Sequence, residues 1–134
     1  MESKIVLVIL YRNKVLFQKE NNNYTLIQGN YEKNIDLKTN VNKMIKYNNI
    51  NVSSKDRMIN LGVYVINNCI NFLVLKEIEY YDTLPDNYAF IDISLIIVND
   101  NIPNEIKSYF LKNNNDAFIH NTLLYEISNI SLYN

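Results

Sequence analysis

The feature that most constrains this chain is a change of hydrophobic period at residue 36. Before it, short apolar runs at residues 5–11, 15–20 and 24–28 alternate with polar turns at 12–14 and 21–23. Runs rich in β-branched and aromatic residues, cut by such turns, predict hairpins in an antiparallel meander. After it, Leu37, Val41, Met44 and Ile45 fall at i, i+4, i+7 and i+8, which places them on one face of a helix. Asp36 is positioned to cap the start of that helix. Asn48 and Asn49 are positioned to end it, because asparagine tolerates the left-handed conformation. The opposite face carries Lys38, Asn42, Lys43 and Lys46.

Two long apolar segments follow at 58–66 and 70–78, joined by Asn67 and Asn68, and predict a hairpin of largely buried strands. A loop holds Pro85, and residues 90–98 are apolar without choosing between strand and helix. Pro103 suits the first turn of a helix, where its missing N–H is not needed, with Ile106, Phe110 and Leu111 as the apolar stripe. A last helix is expected from about Asp116 to Ser128, with Ile119, Leu123, Leu124 and Ile127 on one side. Neighbouring strands followed by segregated helices imply an α+β class, and 134 residues without a linker imply one domain, 1–134.

Composition narrows the function classes. With 13 basic and 14 acidic side chains the net charge is −1, which leaves no broad electrostatic footprint for nucleic acid. The 25 Asn and 19 Ile are the residues of an AT-rich genome, such as that of a large DNA virus or an AT-rich protist, and the short Asn clusters read as turns. Cys69 is the only cysteine, so an internal disulfide is excluded and a reducing compartment is expected. No apolar stretch reaches a membrane-spanning length, so the expectation is a soluble, intracellular protein. Two glycines, Gly29 and Gly62, exclude a glycine-rich phosphate loop. His120 has no Cys or Asp at metal-ligand spacing and reads as a helix-end residue.

One stretch resembles the Nudix hydrolases. Their box runs Gly, five residues, Glu, seven residues, then Arg-Glu-U-x-Glu-Glu-x-Gly-U, where U is bulky and aliphatic. Residues 24–29, Tyr-Thr-Leu-Ile-Gln-Gly, are similar to the strand that leads into the box, with Gly29 as the box glycine. Val41, Met44, Ile50 and Val52 fall at the family's aliphatic positions, and residues 90–110 resemble its closing strand and helix. The resemblance implies an α/β/α sandwich around a mixed central sheet.

The departures carry the functional reading. The box arginine falls on Asn42, the three helix glutamates on Lys43, Lys46 and Tyr47, and the late glycine on Asn49. The spacing from Gly29 is one residue short, so Ile35 or Asp36 stands for the first glutamate. In the family those glutamates hold divalent cations that neutralise a diphosphate and activate water. Two lysines there repel a cation, so the expectation is no catalytic residue, no metal and no cofactor. What is expected instead is a catalytically inactive binding module. Lys43 and Lys46 would pair with phosphate, Tyr24 and Tyr47 would offer aromatic faces, and Gln28 and Gly29 would line the cleft. The partner would be a protein or a phosphorylated nucleotide or RNA end, with a dimer among the expected states and no membrane. Two alternatives stand beside it. One is a diverged hydrolase of nucleoside diphosphate derivatives, its metal site rebuilt from Glu20, Glu32, Asp36, Glu77 and Glu79. The other is a structural or assembly protein.

Overall fold

The computed structural model describes residues 2–66, 68–110 and 117–119. Strand β1 (Glu2–Tyr11) turns at Arg12 into β2 (Lys14–Glu20), and β2 turns at Asn21–Asn22 into β3 (Asn23–Thr25). Asn21 and Asn22 have φ of 47° and 74°, and Glu20 pairs with Asn23 across them. Two consecutive left-handed residues suit a tight hairpin, and asparagine adopts them at little cost. The expected third strand proves to be two. β3 stays on β2, buried Leu26 breaks the run, and β4 (Ile27–Asn30) crosses to pair with β1. Gly29 therefore lies inside β4 and not after a strand.

Helix α1 (Leu37–Tyr47) forms where the period predicts it. The Asp36 carboxylate accepts from the Thr39 N–H at 2.7 Å, which satisfies one of the free donors of the first turn. At the other end Asn49 sits at φ 56°, Asn49 N–H donates to the Lys46 carbonyl and Ile50 N–H to the Ile45 carbonyl. That pair of bonds is a Schellman closure, and Ile50 and Ile45 share one apolar cluster beneath it.

Strands β5 (Val52–Ile66) and β6 (Cys69–Tyr81) make the expected hairpin, each longer than its apolar run, with Asn68 at φ 59° in the turn. The ladder shifts register between Asn60 and Gly62, and Gly62 takes φ 146° at this bulge, a conformation few other residues adopt. The ambiguous stretch 90–98 is both things in turn. β7 (Tyr88–Asp92) pairs with β2, and Asp92 then caps the short helix α2 (Ile93–Ile96) through Ser94. Pro103 precedes α3 (Asn104–Lys107), which runs into a 3-10 turn at Ser108–Phe110.

The expected final helix is overturned at its start. Ala117–Ile119 forms strand β8, antiparallel to Gly62–Tyr64 of β5. A sheet edge offers backbone partners to a short run containing β-prone residues, and Phe118 and Ile119 supply them here. His120, Leu123, Leu124 and Ile127, like Leu111, lie outside the described residues.

The strands form one eight-stranded sheet among the described residues, ordered β3-β2-β1-β6-β5-β8, with β4 on β1 and β7 on β2. β1 runs parallel to β6 and antiparallel to β2 and β4, so the sheet is mixed. Alternation splits β1 between two cores. Ile5, Leu7 and Ile9 pack with Val41, Met44 and Ile45 of α1. Val6, Val8 and Leu10 pack with Ile96, Ile102, Ile106, Tyr109 and Phe110. Each such side chain contributes roughly 1.5–3 kcal/mol on burial, so both faces of β1 are held. The sheet lies between α1 and the later helical turns, an α/β/α arrangement.

Candidate functional site

α1 and β4 enclose a cleft of about 780 Å³. Gly29 brings them close. A Cβ built on it would stand 3.0 Å from the Met44 Cγ and 3.1 Å from its Cε, so the strand approaches the helix through the missing side chain. Buried Met44 floors the cleft, and exposed Lys43, Lys46 and Tyr47 form its helix wall. Gln28 and Asn30 form the strand wall, with Lys4, the register partner of Asn30, beside them. Lys4 shares the face of Val6, so its stem leaves the sheet on the side opposite α1.

The loop from β4 to α1 is fixed by buried Asn40. Its Oδ1 accepts from the Glu32 N–H at 2.9 Å, and its Nδ2 donates to the carbonyls of Glu32, Asp36 and Ile35 at 3.0, 3.0 and 3.3 Å. This presents the Glu32 carboxylate to Lys43, with Nζ 3.3 Å from Oε2. Both side chains are more than half exposed, at 59% and 56%, and such pairs are worth about 0–1 kcal/mol, little enough to exchange for a ligand. Three lysines against one glutamate leave the lining net positive. At the helix end, Asn48 Oδ1 accepts from the Tyr88 hydroxyl at 2.7 Å, and burial holds that hydroxyl above its ordinary pKa.

Five of the six residues singled out by sequence meet here: Gln28, Gly29, Lys43, Lys46 and Tyr47. Tyr24 does not. It is edge-on to Phe17 at 6.4 Å and packs against the core on the other side of the sheet, because β3 leaves β4 at Leu26. Tyr31, also near the box, stacks on Phe72 at 4.9 Å. Lys4, Asn30, Asn40 and Asn48 were not expected at the cleft. Asn40 had a signal, as a polar side chain on the apolar stripe of α1, four residues after Asp36. Lys4 had none, because its place depends on a strand register.

The carboxylates do not converge into a cation site. Asp36 caps α1, and the hydrogen bonds from Thr39 hold it below the ordinary carboxylate range. Glu77 is buried in β6, and Glu79 is exposed at the end of that strand. Among the described residues no group of three His, Cys, Asp or Glu side chains is placed to hold a metal ion. The residues in the cleft do not fit the divalent cation that the resemblance implies.

No family model matches the chain, and no curated protein matches it in sequence. Solved structures do match in fold. A hydrolase of the NUDIX family from Clostridium perfringens superposes with a TM-score of 0.62 over 78% of this chain and 90% of that one, at 12% identity. MutT, from a study of Aliivibrio salmonicida and Vibrio cholerae, gives 0.59 over 78% and 89% at 9% identity. The C-terminal domain of mouse MUTYH, solved in complex with human PCNA, gives 0.59 over 80% and 83% at 11% identity. The chain has the Nudix-like fold. At these identities the likeness is one of fold alone. No helix among the described residues is long and apolar enough to cross a membrane.

Proposed function

We propose that the chain is a single Nudix-like domain that binds an anionic ligand in the α1–β4 cleft without hydrolysing it. The observation that carries this reading is that Lys4, Lys43 and Lys46 all border one cleft, two of them where the resemblance places cation-binding glutamates. Ammonium groups there supply directly the positive charge that a metal would bring. A bare phosphate ester or carboxylate is then neutralised in place, with no activated water beside it. Tyr47, 84% exposed on the cleft wall, offers a ring for a base or an apolar side chain. A phosphorylated nucleotide or RNA end and an acidic protein segment share this anionic chemistry. The MUTYH domain, in complex with PCNA, is a protein of this fold found in a protein assembly, which favours the protein partner as a second reading.

The test is calorimetric titration with inorganic pyrophosphate and adenosine diphosphate at low ionic strength, with and without magnesium, followed by assay of released phosphate. Binding that needs no metal, and weakens at least about tenfold in Lys43→Glu or Lys46→Glu, supports the reading, tenfold being ~1.4 kcal/mol. Magnesium-dependent phosphate release would overturn it and return the diverged hydrolase.

A further inference from the structure

Among the described residues strand β4 has one unpaired edge, and its residues Gln28, Gly29 and Asn30 border the cleft. Tyr31 N–H donates to the Ser3 carbonyl at 3.0 Å, which makes Ser3 and Tyr31 a hydrogen-bonded pair. The register continues through Ile5 with Gly29 and Leu7 with Ile27, so these pairs exchange bonds with β1. Gln28 and Asn30 alternate with them and turn their backbone N–H and C=O groups away from β1. Among the described residues no strand pairs with β4 on that side. Gln28, Gly29 and Asn30 all line the cleft, so the donors and acceptors that β1 does not use lie at its border.

A row of N–H and C=O groups along an extended edge is complementary to another extended backbone, and to little else as fully. The charges around it follow the same geometry. An added strand points successive side chains to opposite faces of the sheet. On one face they meet Lys43 and Lys46 of α1, and on the other they meet Lys4. A phosphorylated small molecule would use the lysines and leave the strand edge unused. Long nucleic acid is disfavoured by the net charge of −1. We infer that the cleft takes an extended acidic segment of a partner protein, which adds a strand to the free edge of β4 while its carboxylates pair with Lys4, Lys43 and Lys46. β4 has four residues, so the added strand would run roughly 14 Å at ~3.4 Å per residue. This names the ligand class of the proposed anion site and rests on that reading.

The experiment is fluorescence anisotropy, at low ionic strength, with a labelled ten-residue peptide in which Glu-Glu and Val-Val pairs alternate, so that both faces of the added strand carry carboxylates. It is repeated with the same peptide N-methylated at alternate positions, with a Lys-for-Glu peptide, and with a short single-stranded RNA. The first is expected to bind, and N-methylation, which removes backbone donors and leaves the charges, is expected to weaken it at least about tenfold. Gln28→Pro is expected to weaken it similarly, and well beyond Gln28→Ala, because only the proline removes the N–H that points away from the β1 ladder. Binding that ignores both N-methylation and Gln28→Pro overturns the inference and leaves a lysine-lined anion site. Tighter binding of the RNA than of the acidic peptide also overturns it. If pyrophosphate binds and the acidic peptide does not, the inference fails and the anion site stands. If neither binds, both fail together.

Discussion

Asn40 holds Glu32 at both of its backbone polar groups, accepting from its N–H at 2.9 Å and donating to its carbonyl at 3.0 Å. Through this clasp a buried residue on α1 sets where an exposed carboxylate meets Lys43. Replacing Asn40 with Ala leaves the Glu32 N–H and the carbonyls of Glu32, Ile35 and Asp36 without this partner. The expected loss is about 1–3 kcal/mol in urea unfolding, chiefly from the Glu32 N–H, since the Glu32 and Asp36 carbonyls keep bonds from the Ile35 and Asn40 N–H groups. Asn40→Asp keeps an acceptor for the Glu32 N–H but sets a carboxylate against three carbonyls, so it should be no better than Ala. A loss under about 0.5 kcal/mol for both variants, the range of ordinary surface substitutions, would remove the clasp from the account.

Asn49 supplies the left-handed residue that closes α1, in the position of the box's late glycine. Asn49→Ala should cost about 1–2 kcal/mol, the penalty for placing an ordinary side chain in this conformation. Asn49→Gly should match or exceed the wild type, because glycine adopts φ 56° without strain. Thermal unfolding of the three proteins side by side tests the order Gly, Asn, Ala, and a stable Ala variant would contradict it.

How much of this was legible depends on the range of the interactions involved. α1 and both its caps follow from local signals, with Asp36 before the stripe and Asn48–Asn49 after it, and the structure keeps them. The β5–β6 hairpin follows equally from two apolar runs and a two-residue turn. The split at Leu26 does not, because residues 23–30 read as one strand until β1 and β2 compete for their backbone. That one non-local choice turned Tyr24 away from the cleft and brought Lys4 to it. The strand at 117–119 fails for the same reason, since only the edge of β5 at Gly62–Tyr64 gives it a partner.

Gly29 gives α1 space and does not take an unusual backbone conformation. Its virtual Cβ meets three atoms of Met44 between 3.0 and 3.2 Å, all on a flexible side chain. Gly29→Ala should therefore be tolerated by a rotamer change of Met44 at a cost of about 1–2 kcal/mol, within the usual range for overpacking. Gly29→Ala combined with Met44→Ala should recover part of that cost relative to Met44→Ala alone. A double-mutant cycle showing no coupling would place the approach of β4 to α1 elsewhere.

Tyr109 sets a test at alkaline pH. It is 5% exposed beneath the sheet, and burial first, then the charge of Glu105, push its hydroxyl up to about 12 from an ordinary 10. The folded state thus favours the neutral phenol, so its contribution to stability is fully present below pH 10 and is lost as pH rises towards 12. Tyr109→Phe cannot ionise and should lose less stability than the wild type across that window. Glu105→Gln should fall between the two, because it removes the smaller cause and leaves the burial. Other tyrosines and the lysines titrate over the same range, so the readout is the difference between melting curves and not any one curve. Curves for wild type and Tyr109→Phe that stay parallel from pH 9 to 12 would show that this hydroxyl is not held neutral by its burial against Phe110 and Ile106.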